Sequence, residues 1–366
     1  MADRIRVGIV GATVTPGGSG WGANAHVPAL QTLPGYELKA VCTAHEETAK
    51  QSAEKFGAEL AFHDMDEMVA HPDIDLITVV VRVPWHKQLI MPALKAGKPV
   101  CCEWPLAAHL AEAKEVTDAA KAAGVPTLVG LQAQSDPVVM YARDLVAGGE
   151  IGEIVTVHLS VIVNSIPERG DGRIWQGIRK NGANPMTIPG GHSIDALCYI
   201  AGEFAEISAR VTTRITMWKH AVTGEDFPVD APDTVTAAGL LKNGAEVSYQ
   251  VASVPYNASG TRLEIYGRKG TLVLTTNSLN IGPTKLHMSI GSEKLAEATP
   301  PASYTLVPSD LAAGPGKNVA QAYARFAAAL QSGKSDAPDF NDAVVRHALI
   351  DAMERSHNEG KVIKLA

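Results

Sequence analysis

Two hydrophobic textures divide this chain. Up to about residue 132, short apolar runs alternate with amphipathic stretches of helical period. Residues 5–10, 36–44, 74–83, 98–104 and 125–132 read as strands. The run IDLITVVVRV is almost unbroken, as expected of a parallel strand covered on both faces. Between the strands lie a helix starting near Trp21 or Gly22, then helices over 45–57, 86–96 and 109–124 that end at glycines. Strand and helix alternating at these lengths predict a doubly wound parallel sheet. From residue 133 the period changes to two. Residues 153–163, 206–218, 234–254 and 261–276 alternate apolar and polar positions, with turns at Asn243-Gly244 and over 267–270. They predict a large open sheet, mainly antiparallel, with one face covered. A helix around His192 to Ala201 interrupts it, and two helices, 317–332 and 341–358, close the chain. Residues 276–316, rich in Pro, Gly, Ser and Thr, read as loops.

The first strand leads into GATVTPGGSGWGANAH, which carries Gly11, Gly17, Gly18, Gly20 and Gly22. Glycine admits positive φ and lets backbone approach a phosphate, and a helix start adds free N–H groups and a positive dipole end. Strand, glycine turn and helix make a pyrophosphate cradle of the Rossmann type. The spacing departs from G-x-G-x-x-G, because Thr13 stands at the second glycine and the later glycines follow an insertion. Gly11, Thr13, Gly20 and Trp21 are the candidate cofactor contacts here. The expected organisation is a Rossmann domain over 1–132 and an α+β domain over 133–366, whose terminal helices are free to pack back on the first.

Composition narrows the class. With 366 residues, 46% hydrophobic and 19% charged, the chain has the balance of a globular protein. A net charge of −7 and no basic cluster argue against a nucleic-acid partner. No apolar run reaches membrane-spanning length. The N-terminus enters a strand at once, without the apolar stretch of a signal peptide. Cys42, Cys101, Cys102 and Cys198 lack metal-ligand spacing and read as reduced core thiols, which points to the cytoplasm and to no metal.

The end of the second strand usually offers an acid to the ribose 2′-hydroxyl. Here the strand runs into Thr43-Ala44-His45. A hydroxyl and an imidazole suit a 2′-phosphate better than a carboxylate does, so the reading leans to NADP over NAD. Glu46 is a possible ribose partner for plain NAD, and capping of the next helix is the structural alternative for Thr43 and His45.

ALKAGKPVCCEWPLA (93–107) and TIPGGHSIDALCYIAG (187–202) resemble the two signature segments of the glucose–fructose oxidoreductase / inositol dehydrogenase / MocA family. The closing segment from Asp339 also resembles that family's C-terminal helix, so the likeness covers nearly the whole chain. It implies an NAD(P)-dependent oxidoreductase acting on a sugar, polyol or related small molecule, and a homodimer or homotetramer formed through the outer sheet face. It places His86 and Glu103 at the dinucleotide and makes His192 the acid/base. The departures are specific. Trp104 replaces the lysine that sits beside the nicotinamide in the family's enzymes, and Ile188 replaces the aspartate four before His192. EWPLA, TIPGGHSID and GLQAQSDP resemble the branch that contains the yeast galactose-pathway repressor. That protein keeps the fold and binds dinucleotide as a sensor.

Hydride exchange with an alcohol needs a base for the hydroxyl proton. His192 is the candidate, since imidazole titrates near neutrality; the alternative is a histidine that caps a helix start. Asp195, one turn on, either orients it or caps. Lys180 replaces the missing lysine if its loop folds over the cleft, and is otherwise a solvated side chain. Trp104 is expected to wall the cleft or to pack in the core, and Gln132 to reach the ligand from the end of the last strand. His86 either touches the dinucleotide or caps its helix.

Overall fold

The computed structural model describes residues 4–15, 20–308, 311, 314–333 and 335–365. Two compact units emerge. The first comprises Met1–Leu131 with Leu306–Val345, the second Gln132–Thr305 with Arg346–Ala366.

In the first unit the described strands are β1 (Ile5–Val10), β2 (Tyr36–Cys42), β3 (Leu60–Phe62), β4 (Leu76–Val79), β5 (Val100–Glu103) and β6 (Thr127–Gly130). They form one parallel sheet in the order β3-β2-β1-β4-β5-β6. The reversal of direction beside β1 is the topological switch point of a doubly wound fold. β3 and the helix Met65–Ala70 extend the predicted pattern. Asp64 starts that helix, its carboxylate accepting from the Asp66 and Glu67 N–H groups. β4 is fully buried, as its unbroken apolar run requires. The helix Pro315–Ser332 sends Val319, Tyr323 and Phe326 into the same core as Leu30, Tyr36 and Leu76.

The second unit holds β7 (Ile154–Asn164), β8 (Glu168–Arg169), β9 (Phe204–Thr212), β10 (Met217–His220), β11 (Asp226–Pro228), β12 (Thr234–Leu241), β13 (Glu246–Val254), β14 (Gly260–Gly267), β15 (Gly270–Thr276), β16 (Lys285–Ile290), β17 (Ala296–Ala298) and β18 (Ile363–Lys364). Nine of them build the large sheet, β17-β16-β15-β14-β7-β13-β12-β9-β18. Its pairings are antiparallel except for β7 with β13. On β13, Val247, Tyr249 and Val251 point inward while Ser248 and Gln250 point out, the alternation read from the sequence. Helix Pro189–Ala201 lies on the covered face. Gly190 permits the approach: a Cβ there would stand 2.7 Å from the Tyr249 hydroxyl oxygen and 3.0 Å from a Val251 methyl.

Two expectations are corrected and one element is added. The stretch 276–316 is not all loop, because β16 and β17 extend the sheet to its edge; they are short strands whose alternation is too brief to stand out. Residues 206–218 are not one strand. Asp233 accepts from the Arg214 and Ile215 N–H groups at 2.8 and 2.7 Å, which turns the chain out of β9 and sends β10 into a separate sheet with β8 and β11. A further helix, Pro137–Ala147, starts at Asp136 with proline at its first position, a start signal present in the sequence.

Candidate functional site

The glycine turn is built as a close-approach motif. Gly11 has φ +104°, and a Cβ on it would stand 2.0 Å from the Val80 carbonyl oxygen. Gly22 opens the helical segment after the turn, and its Cβ would meet the Gly11 oxygen at 2.9 Å. The turn and the helix start therefore touch backbone to backbone, which is the requirement for a cradle of N–H groups around a diphosphate. Gly20 has φ +68°, and its carbonyl accepts from Asn24 N–H. Trp21 begins the helix, as expected. Thr13 closes a local turn, its hydroxyl oxygen accepting from the Thr15 N–H at 3.1 Å. Gly17 and Gly18 lie outside the described residues.

At the end of β2, Thr43 is buried. Its hydroxyl donates to the His45 carbonyl at 3.0 Å and meets the Thr48 hydroxyl at 2.7 Å. His45 begins the helix Glu46–Phe56 and remains exposed. Glu46 is committed to Lys50 at 2.6 Å, and that lysine holds its carboxyl below the usual range. The hydroxyl proton of Thr43 is thus spent locally, which leaves the His45 ring as the donor exposed near this strand end.

Glu103, at the end of β5, sits in a buried polar chain invisible to sequence reading. Its Oε1 lies 2.7 Å from His26 Nε2; His26 Nδ1 lies 2.8 Å from the Tyr323 hydroxyl, which is 3.0 Å from Thr78 Oγ1. Burial pushes the Tyr323 phenol up, so it stays protonated. These four residues come from four elements, so no local pattern announces them. Trp104, next along, is 4% exposed.

His86 is fully enclosed. Nδ1 lies 2.9 Å from the Pro105 carbonyl oxygen and 3.3 Å from Cys102 Sγ, and Nε2 lies 3.1 Å from the Val81 carbonyl oxygen, so both ring nitrogens are engaged within the protein. It braces the EWPLA loop. Burial holds its pKa below the ordinary 6.5. A depressed folded value means that stability is complete above the unfolded pKa and is lost as pH falls. Below about pH 6.5 the wild type should lose up to about 1.4 kcal/mol per pH unit from this group. Denaturation midpoints from pH 7.5 to 5 check this, with His86→Gln expected to flatten the slope. The same slope in both proteins would refute it.

In the second unit, His192 occupies the first turn of helix Pro189–Ala201, where it is 3% exposed and donates its N–H to the Ile188 carbonyl at 3.0 Å. Asp195 is 1% exposed. Its carboxylate accepts from Gln134 Nε2 at 3.1 Å and from Arg346 Nε at 3.2 Å. Arg346 also donates to Glu203 at 2.8 Å, and its guanidinium is pushed above its ordinary value despite burial. Gln134 and Arg346 are additions that sequence reading missed. Gln132 is buried at the start of the short helical turn Gln132–Ser135. Lys180 is exposed on the turn Arg179–Asn181.

Around the N-terminus of the His192 helix lies a cavity of about 450 Å³. Ile188, Trp218 and Ile281 line it with Arg169, Asn184 and Ser253. Neither His192 nor Lys180 is part of this lining.

Residues 5–131 match the family model described as "Oxidoreductase family, NAD-binding Rossmann fold", and residues 137–276 match "Gal80p, C-terminal domain". The chain is 31% identical to "Dehydrogenase aclE" of Aspergillus oryzae over 99% of its own length and 98% of that protein's. It is 29% identical to the galactose/lactose metabolism regulatory protein GAL80 of Saccharomyces cerevisiae, over 75% of this chain and 67% of the relative. A solved levoglucosan dehydrogenase in complex with NADH and L-sorbose has the same fold, with TM-score 0.86 at 23% identity over 100% of this chain and 99% of that one. The chain belongs to the Gfo/Idh/MocA oxidoreductase family, with a second domain like that of Gal80p.

Proposed function

We propose that this protein exchanges hydride between a nicotinamide dinucleotide and a secondary hydroxyl or ketone of a sugar, polyol or related compound. The observation that carries the reading is the close backbone packing of the glycine turn: a Cβ on Gly22 would meet the Gly11 carbonyl oxygen, and one on Gly11 the Val80 carbonyl oxygen. It fits a diphosphate. The bound nicotinamide supplies the hydride acceptor or donor at C4. Gly11, Gly20 and the helix start at Trp21 would hold the dinucleotide, and Glu103, anchored by His26, would orient its sugar or amide. His192 would take the hydroxyl proton in oxidation and return it in reduction. Asp195, braced by Gln134 and Arg346, would fix the helix that carries His192. Lys180 is the weaker candidate for a second proton carrier. Reduced thiols support a cytoplasmic setting, and the outer face of the large sheet supports a homodimer or homotetramer.

Turnover tests the reading: nicotinamide absorbance is followed with a panel of sugars, polyols and aromatic alcohols. Reduction with any of them supports it, and silence from all of them with dinucleotide bound favours the second reading. That reading is a dinucleotide-binding sensor without turnover; the GAL80 relatives are regulatory proteins. It draws support from Trp104 and Ile188, which stand where the family's enzymes carry lysine and aspartate.

The lean to NADP rests on the absence of an unpaired acid at the end of β2. Thr43→Asp would place a carboxylate against the 2′-phosphate. It should weaken NADP binding about tenfold or more and leave NAD within a factor of about two, read as dissociation constants. A wild-type preference for NAD that the substitution leaves untouched would sink the argument.

A further inference from the structure

The cavity at the head of the His192 helix has an uneven chemical lining. Arg169 and Arg173 both border it, and no carboxylate does. Neither arginine forms an ion pair among the described residues. Arg169 is held in place: it donates to the Ser165 hydroxyl, and its guanidinium lies 5.1 Å from the Trp218 ring centroid. Burial, and then the positive charge of Arg173, lower its pKa, so the two cations sense each other. Asn184 is 5% exposed, and its Oδ1 accepts from the Met186 and Thr187 N–H groups. That fixes the amide, with its NH₂ left to donate. Ser253 is 8% exposed, lines the cavity, and its hydroxyl has no partner among the described residues. The N-terminus of a thirteen-residue helix adds its positive end at Pro189.

A half-buried guanidinium with a second, exposed one near it, a buried hydroxyl and an oriented amide form a set of donors lacking their acceptor. An oxyanion offsets the repulsion and accepts from all of them, and arginine recognises carboxylate and phosphate through paired N–H groups. Ile188, also in the lining, adds no negative charge that would repel such a group.

We propose that this cavity binds the oxyanion of an acidic substrate, a carboxylate- or phosphate-bearing sugar or polyol. Calling that molecule the substrate rests on the hydride-transfer reading; the anion site itself does not.

The test uses the full chain, with binding by calorimetry and nicotinamide absorbance measured side by side. The probes are gluconate, glucuronate and glucose 6-phosphate, with sorbitol and glucose as neutral counterparts. At least one acid should bind about tenfold or more tightly than its neutral counterpart and weaken as salt rises. Carboxylates and phosphate are separated by which arm binds. Arg173→Gln, at an exposed position, and Arg169→Gln should each weaken that acid about tenfold and leave dinucleotide affinity within a factor of about two. The Arg173 variant keeps the test sound if loss of the Arg169 stack on Trp218 disturbs folding. The proposal falls if no acid binds, if acids and neutral sugars bind alike, or if Arg173→Gln leaves binding unchanged. Binding through the arginines with no change in nicotinamide absorbance would uphold the anion site and remove the dehydrogenase reading. Oxidation of neutral sugars with the acids ignored would do the reverse.

Discussion

His192→Ala should lower kcat by about 10²–10⁴ while leaving the dinucleotide dissociation constant within a factor of about two. The reason is a shortage of alternatives. Trp104 and Ile188 replace two of the family's usual polar residues, Lys180 lies exposed on a separate turn, and His86 has both ring nitrogens against backbone carbonyls. In the proposed mechanism the imidazole on the first turn of helix Pro189–Ala201 is the proton carrier. On the proposed reading its removal takes away a group of the chemical step and leaves Gly11, Gly20 and Gly22 unchanged, so rate and cofactor affinity should separate. Steady-state kinetics with the best compound of the turnover panel, alongside calorimetric titration of NAD and NADP, make the measurement. A variant with unchanged kcat would overturn the assignment. Equal loss of rate and dinucleotide affinity would assign His192 a structural role instead.

Arg346→Met should destabilise the protein by about 3–5 kcal/mol. Arg346 is 3% exposed and Asp195 1% exposed, and the guanidinium bridges Asp195 to Glu203. Loss of the cation strands a carboxylate in the interior with Gln134 as its remaining named donor. Desolvation of that charge dominates the cost, because the pair's attraction is what offset it. Asp195→Leu in the same chain should recover more than half of the loss, since no buried charge then remains. Urea unfolding of the single and double variants decides it. A double variant no better than Arg346→Met would show that packing, not charge, sets the cost.

Much of the architecture was readable because period and punctuation are local. The helix 46–56 ends at Gly57, which adopts φ +69°, and the β12–β13 hairpin turns at Asn243-Gly244, with Gly244 at φ +88°. β16 and β17 escaped notice because strands of six and three residues carry little alternation, and their Pro- and Gly-rich surroundings suggest loop. The break between β9 and β10 escaped because its cause, Asp233, is eighteen residues or more away from the N–H groups it binds.

The candidate site divides in the same way. Gly11, Trp21, Glu103, His192 and Asp195 were visible from motif and resemblance. The partners that define what those residues can do were not. His26 meets Glu103 across 77 positions, Tyr323 meets His26 across 297, and Arg346 meets Asp195 across 151.

The order of hydrophobic and polar residues by itself determined a doubly wound sheet followed by an open one, and a glycine turn suited to a dinucleotide, because strand and helix periods and positive φ are properties of neighbouring residues. Only the tertiary structure decided that Thr43 spends its hydroxyl on His45, that His86 braces a loop, that Asp195 is tied to Arg346, and that Arg169 and Arg173 border one cavity. The long-range contacts among these depend on which side chains the fold brings within hydrogen-bond distance, and no spacing along the chain encodes that.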